Sequence, residues 1–354
     1  MQCLPSLLDK LVLQSADKEI IVTIDAPGNG FPEAIKQFAG VKFIVNNDRV
    51  GKAKALNESV KQSSGKVLLF LDADIELLND RYFLQKIVEK MRYTDVLDIK
   101  KKVANKDSFL SKMAYYEYLT FNVSSWLASE HLQKWLNFNG AAFAMKRTTF
   151  ESMRGFRKVV AEDLDMATRA FLNDQSFAYT KDVEVSNVVH SNWSNWYRQR
   201  RRWAIGQALW LKDFYKDLFK KCTRNPQIFL PATVFLCPPL VSFFIAVILP
   251  SVWMQDALMM ASWVLSTKLN TVLPIFFFSL TTADLLKSLL ISMSSFGVTA
   301  ALYYRFSRKL GFEMKIHELF VYYFLYSVLW GAIIILGNFE VFILRRKSAP
   351  DWKT

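Results

Sequence analysis

Along the first two-thirds of the chain, short apolar runs alternate with amphipathic stretches, and each run ends in polar or turn-forming residues. Leu4, Leu7, Leu8 and Leu11 recur at helical spacing, so Pro5 to Leu13 is predicted to be a short helix with proline in its first turn. Glu19 to Ile24, Val41 to Val45 and Val67 to Leu71 have the composition and boundaries of strands. Val67 to Leu71 is apolar throughout, as a strand covered on both faces would be. Helices are predicted between them, over Glu33 to Phe38 and following Lys52. The alternation predicts an α/β fold with a doubly wound, mostly parallel sheet.

Further along, Arg81 to Arg92 has the pattern of a surface helix, and Val96 to Val103 that of a strand on the sheet's far side. Phe109 to Phe138 is rich in Tyr, Phe and Trp with few charges, which suits either a membrane interface or a cover over the sheet. Asn137 to Met145 is strand-like, and its Gly140, Ala141 and Ala142 would let a ligand approach closely. A helix is predicted from Glu162, and two short strands over Phe177–Thr180 and Val183–Val189.

Beyond about Asn225 the chain turns apolar. Ile228–Pro250, Trp253–Thr282, Leu285–Tyr304 and Leu319–Leu344 are each long enough to cross about 30 Å of hydrocarbon. The expected organisation is an α/β domain over 1–210, an interfacial connector over 211–227, and about four transmembrane helices within 228–354 with a short basic tail. An even number of spans returns Arg345, Arg346 and Lys347 to the α/β domain's side, as the positive-inside rule requires. It also places Arg305, Arg308, Lys309 and Lys315 on the opposite side, which the rule disfavours.

Composition narrows the class. The formal net charge of +13 would suit nucleic acid, an anionic membrane or an anionic substrate, but 52% apolar residues and 29 Phe argue against a nucleic-acid module and for a membrane protein. Cys3, Cys222 and Cys237 lack metal-ligand spacing and are expected as free thiols. Met1 to Leu13 contains Asp9 and Lys10 and does not have the pattern of a cleavable signal.

The candidate chemistry gathers at strand ends. Asp72 and Asp74 follow the Val67–Leu71 strand and point the same way, at the edge where open α/β sheets bind ligands. A divalent metal carrying a diphosphate would satisfy the pair; a solvated turn would place them identically. Asp25 ends the earlier strand and suits a ribose or base contact, or a plain turn. Arg49, Gly51 and Lys52 open a helix, where an anion is favoured and where a solvated start is also common. Glu162 and Asp163 sit in a first helical turn, where the dipole favours carboxylates. His190 has the character of a structural histidine. Arg198, Arg200, Arg201 and Arg202 repel one another unless an anion or carboxylates compensate, and Trp193, Trp196, Trp203 and Trp210 add stacking surfaces. Such a segment also suits an interfacial membrane anchor.

Taken in order, Asp25, Arg49-x-Gly-Lys52 with Leu56-Asn57, Asp72-x-Asp74, Glu162-Asp163 and Gln199-x-x-Arg202-Trp203 resemble the family 2 glycosyltransferases. The likeness is to the membrane-integrated branch with cellulose, chitin and hyaluronan synthases and ceramide glucosyltransferases. It implies a GT-A fold, a UDP-sugar donor, a Mg²⁺ or Mn²⁺ cofactor, and inverting transfer to a membrane-associated acceptor, either a lipid or a growing glycan. It further implies a multi-pass protein of the cell membrane with its catalytic domain in the cytoplasm. Asp74 would hold the metal, Asp72 the ribose or the metal shell, and Asp25 with Lys52 the uridine. Asp163 would be the general base, and Gln199, Arg202 and Trp203 would shape the acceptor and diphosphate site. Members of the family open with a strand bearing a Pro-x-x-Asn-Glu-type motif; this chain is expected to lack that strand, which would leave two strand edges unpaired. Ala161 stands where the family has Thr before Glu-Asp. A transporter using Asp256, Lys268, Asp284 and Lys287 would leave the acidic strand ends unexplained.

Overall fold

The computed structural model describes residues 4–27, 38–78, 80–224, 251–270 and 280–348. The helix expected over 33–38 falls outside them apart from its last residue, and the span expected over 228–250 falls outside them entirely. Strands β1 (Ile20–Asp25) and β2 (Val41–Asn46) pair in parallel, with Ile20 opposite Val41 and Asp25 opposite Asn46. A second sheet has the order β3 (Val67–Leu71), β6 (Ala142–Lys146), β5 (Val96–Val103), β7 (Phe177–Asn187), β4 (Ile75–Leu77). In it β3, β5 and β7 run the same way, while β6 and β4 run against their neighbours. Among the described residues β1 has no partner besides β2, and β3 none besides β6.

Two expectations are corrected here. Val96–Val103 is the middle strand of the sheet rather than its far side; its lysines are accommodated because Lys100 and Lys102 share Glu184 and Lys101 reaches Asn139. The two short strands expected around Lys181-Asp182 are one eleven-residue strand. An irregularity between Ile99 and Lys100 in the β5–β7 register loops that exposed polar pair out without ending the strand.

The helices follow the apolar pattern. In α1 (Leu4–Val12), Leu7 and Leu11 enter the main core with Ile75, Leu77, Phe83 and Leu97, while Leu4 and Leu8 pack on Ile20, Val22, Val41 and Phe43. One helix therefore seals both sheets. The predicted surface helix is α3 (Phe83–Met91), with Phe83, Ile87 and Met91 inward. The aromatic-rich segment is α4 (Phe109–His131), started by a reciprocal Ser108–Ser111 capping box. It is the sheet's cover: Tyr116, Leu119 and Val123 are buried, and the Asn122 amide bonds both the N–H and C=O of Lys101 on β5.

Helix α7 (Trp193–Arg224) runs without interruption across position 211, where the connector was expected. The chain forms two compact units, 1–221 with 310–354, and 222–309. Two described helices, Ala283–Leu310 and Ile316–Phe342, are long and apolar enough to cross a membrane; they coincide with two of the expected spans. Of the span expected over 253–282, the part up to Leu269 is helical and Asn270 has φ 48°; residues 271–279 lie outside the described residues, and 280–282 open the helix Leu280–Leu310.

Candidate active site

Four segments meet at the end of β3. Beneath them Phe70, Phe143, Phe150 and Phe156 form a ring cluster with centroids 4.9–6.3 Å apart, each ring worth about 1.5–3 kcal/mol of burial. Above that cluster the β3 backbone continues into Asp72, whose N–H donates to Ala141 O at 2.9 Å. This bond fixes the carboxylate pair beside the 139–141 turn.

Helix α2 (Lys52–Lys61) supplies the cation. Gly51 at its start has φ 88°, a conformation that side-chain-bearing residues rarely adopt. Asp25 accepts hydrogen bonds from Val50 N and Gly51 N at 2.8 Å each, so its carboxylate shapes this turn. Lys52 Nζ lies 2.6 Å from Asp72 Oδ1 and 3.5 Å from Glu162 Oε1. Lys52 thus points to Asp72 and Glu162, whereas Asp25 serves the backbone. Burial opposes the ammonium, yet Asp72 and Glu162 hold the Lys52 pKa above its ordinary value. Further along α2, Asn57 clamps Phe156, donating to its O at 2.8 Å and accepting from its N at 2.9 Å. That clamp sets the loop leading into α6 (Glu162–Leu172).

Glu162 and Asp163 diverge, as successive helical residues must. Glu162 faces Lys52. Burial and the Asp163 carboxylate push the Glu162 pKa up, with Lys52 opposing; the helix dipole alone would favour the ionised form, and burial with a like charge outweighs it. Asp163 lies against Gly140, where any Cβ would collide with its carboxylate. The small residue at 140 is therefore needed by Asp163. Its neighbour Asp165 is a buried anchor, bonding Arg157 and Arg169.

On the other side of the strand end, Asp74, Asn187, His190, Trp196, Gln199 and Arg200 line one cleft. Asp74 is exposed and has no hydrogen-bond or ion-pair partner among the described residues. Asn187 Oδ1 is buried and likewise unpartnered among them. Burial and the Arg200 charge push the His190 pKa down, while Asp74 pulls it up. The sequence pattern left His190 and Asn187 aside: one is a lone histidine, and the other is the last residue of a strand.

The arginine cluster divides. Arg200 pairs with Glu117 of α4, both side chains 3% exposed, and Arg201 bonds Glu340 at 2.9 and 3.1 Å. Carboxylates thus compensate two of the four charges, and Glu117, unremarkable in sequence, is the missed partner. Trp203 is taken up beneath Arg200, its ring centroid 4.3 Å from the guanidinium carbon. Gln199 Oε1 accepts from Arg200 Nη1 at 2.9 Å. Arg49 and Arg202 are exposed. Asp72, Asp163, Lys52 and Asp74 are thus gathered at one strand end, Gln199 joins Asp74, and Asp25 and Trp203 act as supports in this geometry.

Among the described residues no three His, Cys, Asp or Glu side chains form a closed metal cage. Mg²⁺ or Mn²⁺ at a diphosphate needs only one or two carboxylates, with phosphates and water completing the shell. The unpartnered Asp74 and the orphaned Asn187 oxygen, which line the same cleft, fit that requirement.

An α/β domain with charged side chains gathered at one strand end is the class this geometry defines. The sequence profile described as "Glycosyl transferase family 2" matches residues 2–153. Among curated relatives, the poly-beta-1,6-N-acetyl-D-glucosamine synthase of Staphylococcus epidermidis is 26% identical over 218 residues, 60% of this chain and 53% of that protein. The probable glucomannan 4-beta-mannosyltransferase 6 of Oryza sativa subsp. japonica is 26% identical over 232 residues, 61% of this chain and 40% of that protein. The chain spans about half the length of the curated relatives it matches. Among solved structures, the mannosyltransferase PcManGT of Pyrobaculum calidifontis, in complex with GDP-Man and Mn²⁺, aligns over 95% of this chain and 83% of its own, with 19% identity and a TM-score of 0.53. That likeness confirms the GT-A-like fold.

Proposed function

We propose that the protein transfers a hexose from a UDP-sugar to a hydroxyl of a membrane-associated acceptor, with inversion, building a β-linked polysaccharide or a glycolipid. The observation that carries this reading is the meeting of Asp72, Lys52 and Glu162 with Asp163 pressed on Gly140 at one strand end of a domain whose residues 2–153 match the family 2 profile. Polysaccharide products are supported by the relatives' names, a poly-beta-1,6-N-acetyl-D-glucosamine synthase and a probable glucomannan 4-beta-mannosyltransferase.

In this mechanism Asp163 takes the acceptor hydroxyl's proton, and the turn at Gly140 brings the acceptor to it. Lys52 balances Asp72 so that the carboxylate pair can accept an anionic ligand, and Arg202 offers its exposed guanidinium to the departing diphosphate. Asp74, with Asp72, would hold a divalent cation, which when bound neutralises the diphosphate and stabilises it as a leaving group. Asp25 keeps the α2 turn in the shape the nucleotide needs. The catalytic unit lies on the cytoplasmic side, where nucleotide sugars are available.

The test is nucleotide release from UDP-linked hexoses and N-acetylhexosamines, with GDP-mannose as the competing donor, with and without EDTA. Metal-dependent UDP release supports the reading. Release from GDP-mannose alone would reassign the donor, and no release from any donor would remove the transferase assignment.

A further inference from the structure

Asp98 and Lys101 on β5 are ionisable, only 4% and 6% exposed, and unused by any step of the transfer. Both meet one residue, Asn139, in the loop between α4 and β6. Asn139 N donates to Asp98 Oδ1 at 3.3 Å, and Lys101 Nζ donates to Asn139 Oδ1 at 2.8 Å. The same side-chain oxygen accepts from Ala141 N at 3.1 Å, and the Asn139 carbonyl accepts from Ala142 N at 3.2 Å. Side-chain-to-backbone bonds of this kind fix the shape of a turn. Lys101 is itself tied down. The Asn122 amide bonds its N–H and C=O, Tyr179 Oη on β7 donates to the Asn122 oxygen at 2.8 Å, and the ammonium lies 4.7 Å from the Tyr118 ring centroid. Ser125 of α4 hydrogen-bonds the Asp98 carboxylate.

The turn these groups hold is where the two halves of the candidate site touch. Ala141 O accepts from Asp72 N at 2.9 Å, so one side of the turn supports the strand end with the carboxylate pair. On the other side, Gly140 leaves its side-chain space to Asp163: Oδ2 is the atom a Cβ there would strike, while Oδ1 accepts from Leu164 N at 2.8 Å. A shift of the turn would move Asp163 relative to Asp72, and a misplacement of about 1 Å can cost on the order of 10²-fold in rate. Stability does not account for the two charges. Replacing buried charges by apolar residues of similar volume is often neutral or stabilising, and an uncharged amide is enough to close a turn. What the ammonium adds is a charge-assisted bond, roughly twice as strong as a neutral one.

We propose that Lys101 and Asp98 are positioning residues for the transfer: through Asn139 they fix the 139–141 turn, and through the turn they set where the Asp163 carboxylate stands relative to Asp72. The inference rests on Asp163 as the base that takes the acceptor's proton. Both residues are buried behind the turn, so they reach the reaction only through it. Asp72 is held independently, by Lys52 and by the pairing of Leu71 with Ala142 in the β3–β6 ladder. Asp163 has the turn itself as its neighbour. Loosening the turn should therefore slow the chemical step and leave nucleotide binding nearly intact.

The experiment uses the full chain in detergent. Lys101→Met keeps an unbranched side chain beside Tyr118 but loses the bond to Asn139. Its kcat for UDP release from UDP-linked hexoses and N-acetylhexosamines should fall at least about 30-fold, with donor KM and UDP affinity within about threefold of wild type. Asn139→Ala should behave alike, whereas Asn139→Asp, which keeps the accepting oxygen, should hold kcat within about threefold. Equal losses of kcat and UDP affinity would overturn the proposal. Added to Asp163→Asn, Lys101→Met should slow release by less than about threefold more, because effects that act through one group are not additive. Multiplying losses would overturn the proposal while leaving Asp163 as the base; wild-type activity in Asp163→Asn alone would instead remove the base. Backbone hydrogen exchange gives a readout independent of turnover. Lys101→Met should speed exchange at least about tenfold in peptides covering 136–146 and 159–166, with β7 and α2 unchanged. Unchanged exchange in those two peptides, or faster exchange throughout the sheet, would also overturn the proposal.

Discussion

Two clusters of carboxylates and cations, built from similar residues, behave oppositely. At the end of β3, Lys52 and Asp72 are 43% and 35% exposed, Glu162 and Asp163 crowd beside them, and Asp74 has no partner among the described residues. In the seam between α4, α7 and the 316–342 helix, Arg200 and Glu117 are each 3% exposed, and Tyr326 and Trp196 join the pair, with Glu117 Oε1 and Arg200 Nε buried without a partner among the described residues. The first is unbalanced and open, arranged around negative charge that a cation and a phosphate would complete. The second is closed and fixes how three helices meet. The lesson is that the balance and exposure of charge, more than its density, separate a binding site from a structural joint.

The contrast can be broken at several points. Asp74→Ala removes the unpartnered carboxylate and should abolish turnover together with metal-dependent nucleotide binding; activity close to wild type at low metal would refute its role. Breaking the closed cluster should instead cost stability. Glu117→Ala strands a buried guanidinium and should lower unfolding free energy by about 3–5 kcal/mol. Glu117→Leu with Arg200→Met should recover most of that loss, as read by denaturant unfolding in detergent.

Asp163→Asn keeps size and hydrogen bonding but cannot accept a proton. The rate of the chemical step should fall about 10²-fold or more with UDP affinity nearly unchanged. Glu162→Gln should do less. Loss of UDP binding in Asp163→Asn, or a dead Glu162→Gln enzyme, would move the base to another residue.

Asp98 provides a pH handle. Burial raises its pKa to about 6, while Ser125, Asn139 and Lys101 oppose the shift. The folded state then binds the proton more tightly than the unfolded state, so this group's contribution is fully favourable below about pH 4. It is lost as pH rises through about 6, on the order of 2–3 kcal/mol. Asp98→Asn should flatten that slope in unfolding measured between pH 4 and 7. The smallest effect belongs to the open cluster: Lys52→Met should change stability by less than about 1 kcal/mol while weakening nucleotide binding.

Much of this was legible from local pattern. Strand ends and helix starts are set by short apolar runs and turn residues, so β1, β3, α2 and α6 fall where the periodicity places them, carrying Asp25, Asp72, Lys52 and Glu162 to element termini. The central position of β5 was hidden, because three consecutive lysines read as exposed until Glu184 and Asn139 arrive from distant segments. The continuity of β7 was hidden because a bulge absorbs Lys181 and Asp182.

The sequence by itself determined the α/β alternation, the acidic strand ends and the family resemblance, since these depend on neighbours a few residues apart. Only the tertiary structure decided which charges are spent. It gives Lys52 to Asp72 and Glu162, Asp25 to a backbone turn, and Arg200 and Arg201 to Glu117 and Glu340, across separations of up to 139 residues. It also seats the 316–342 helix on the catalytic unit at both ends. Hydropathy measures how apolar a helix is over its length and says nothing of what holds its ends. Pairings between distant residues depend on how the whole chain packs, and local pattern does not encode them.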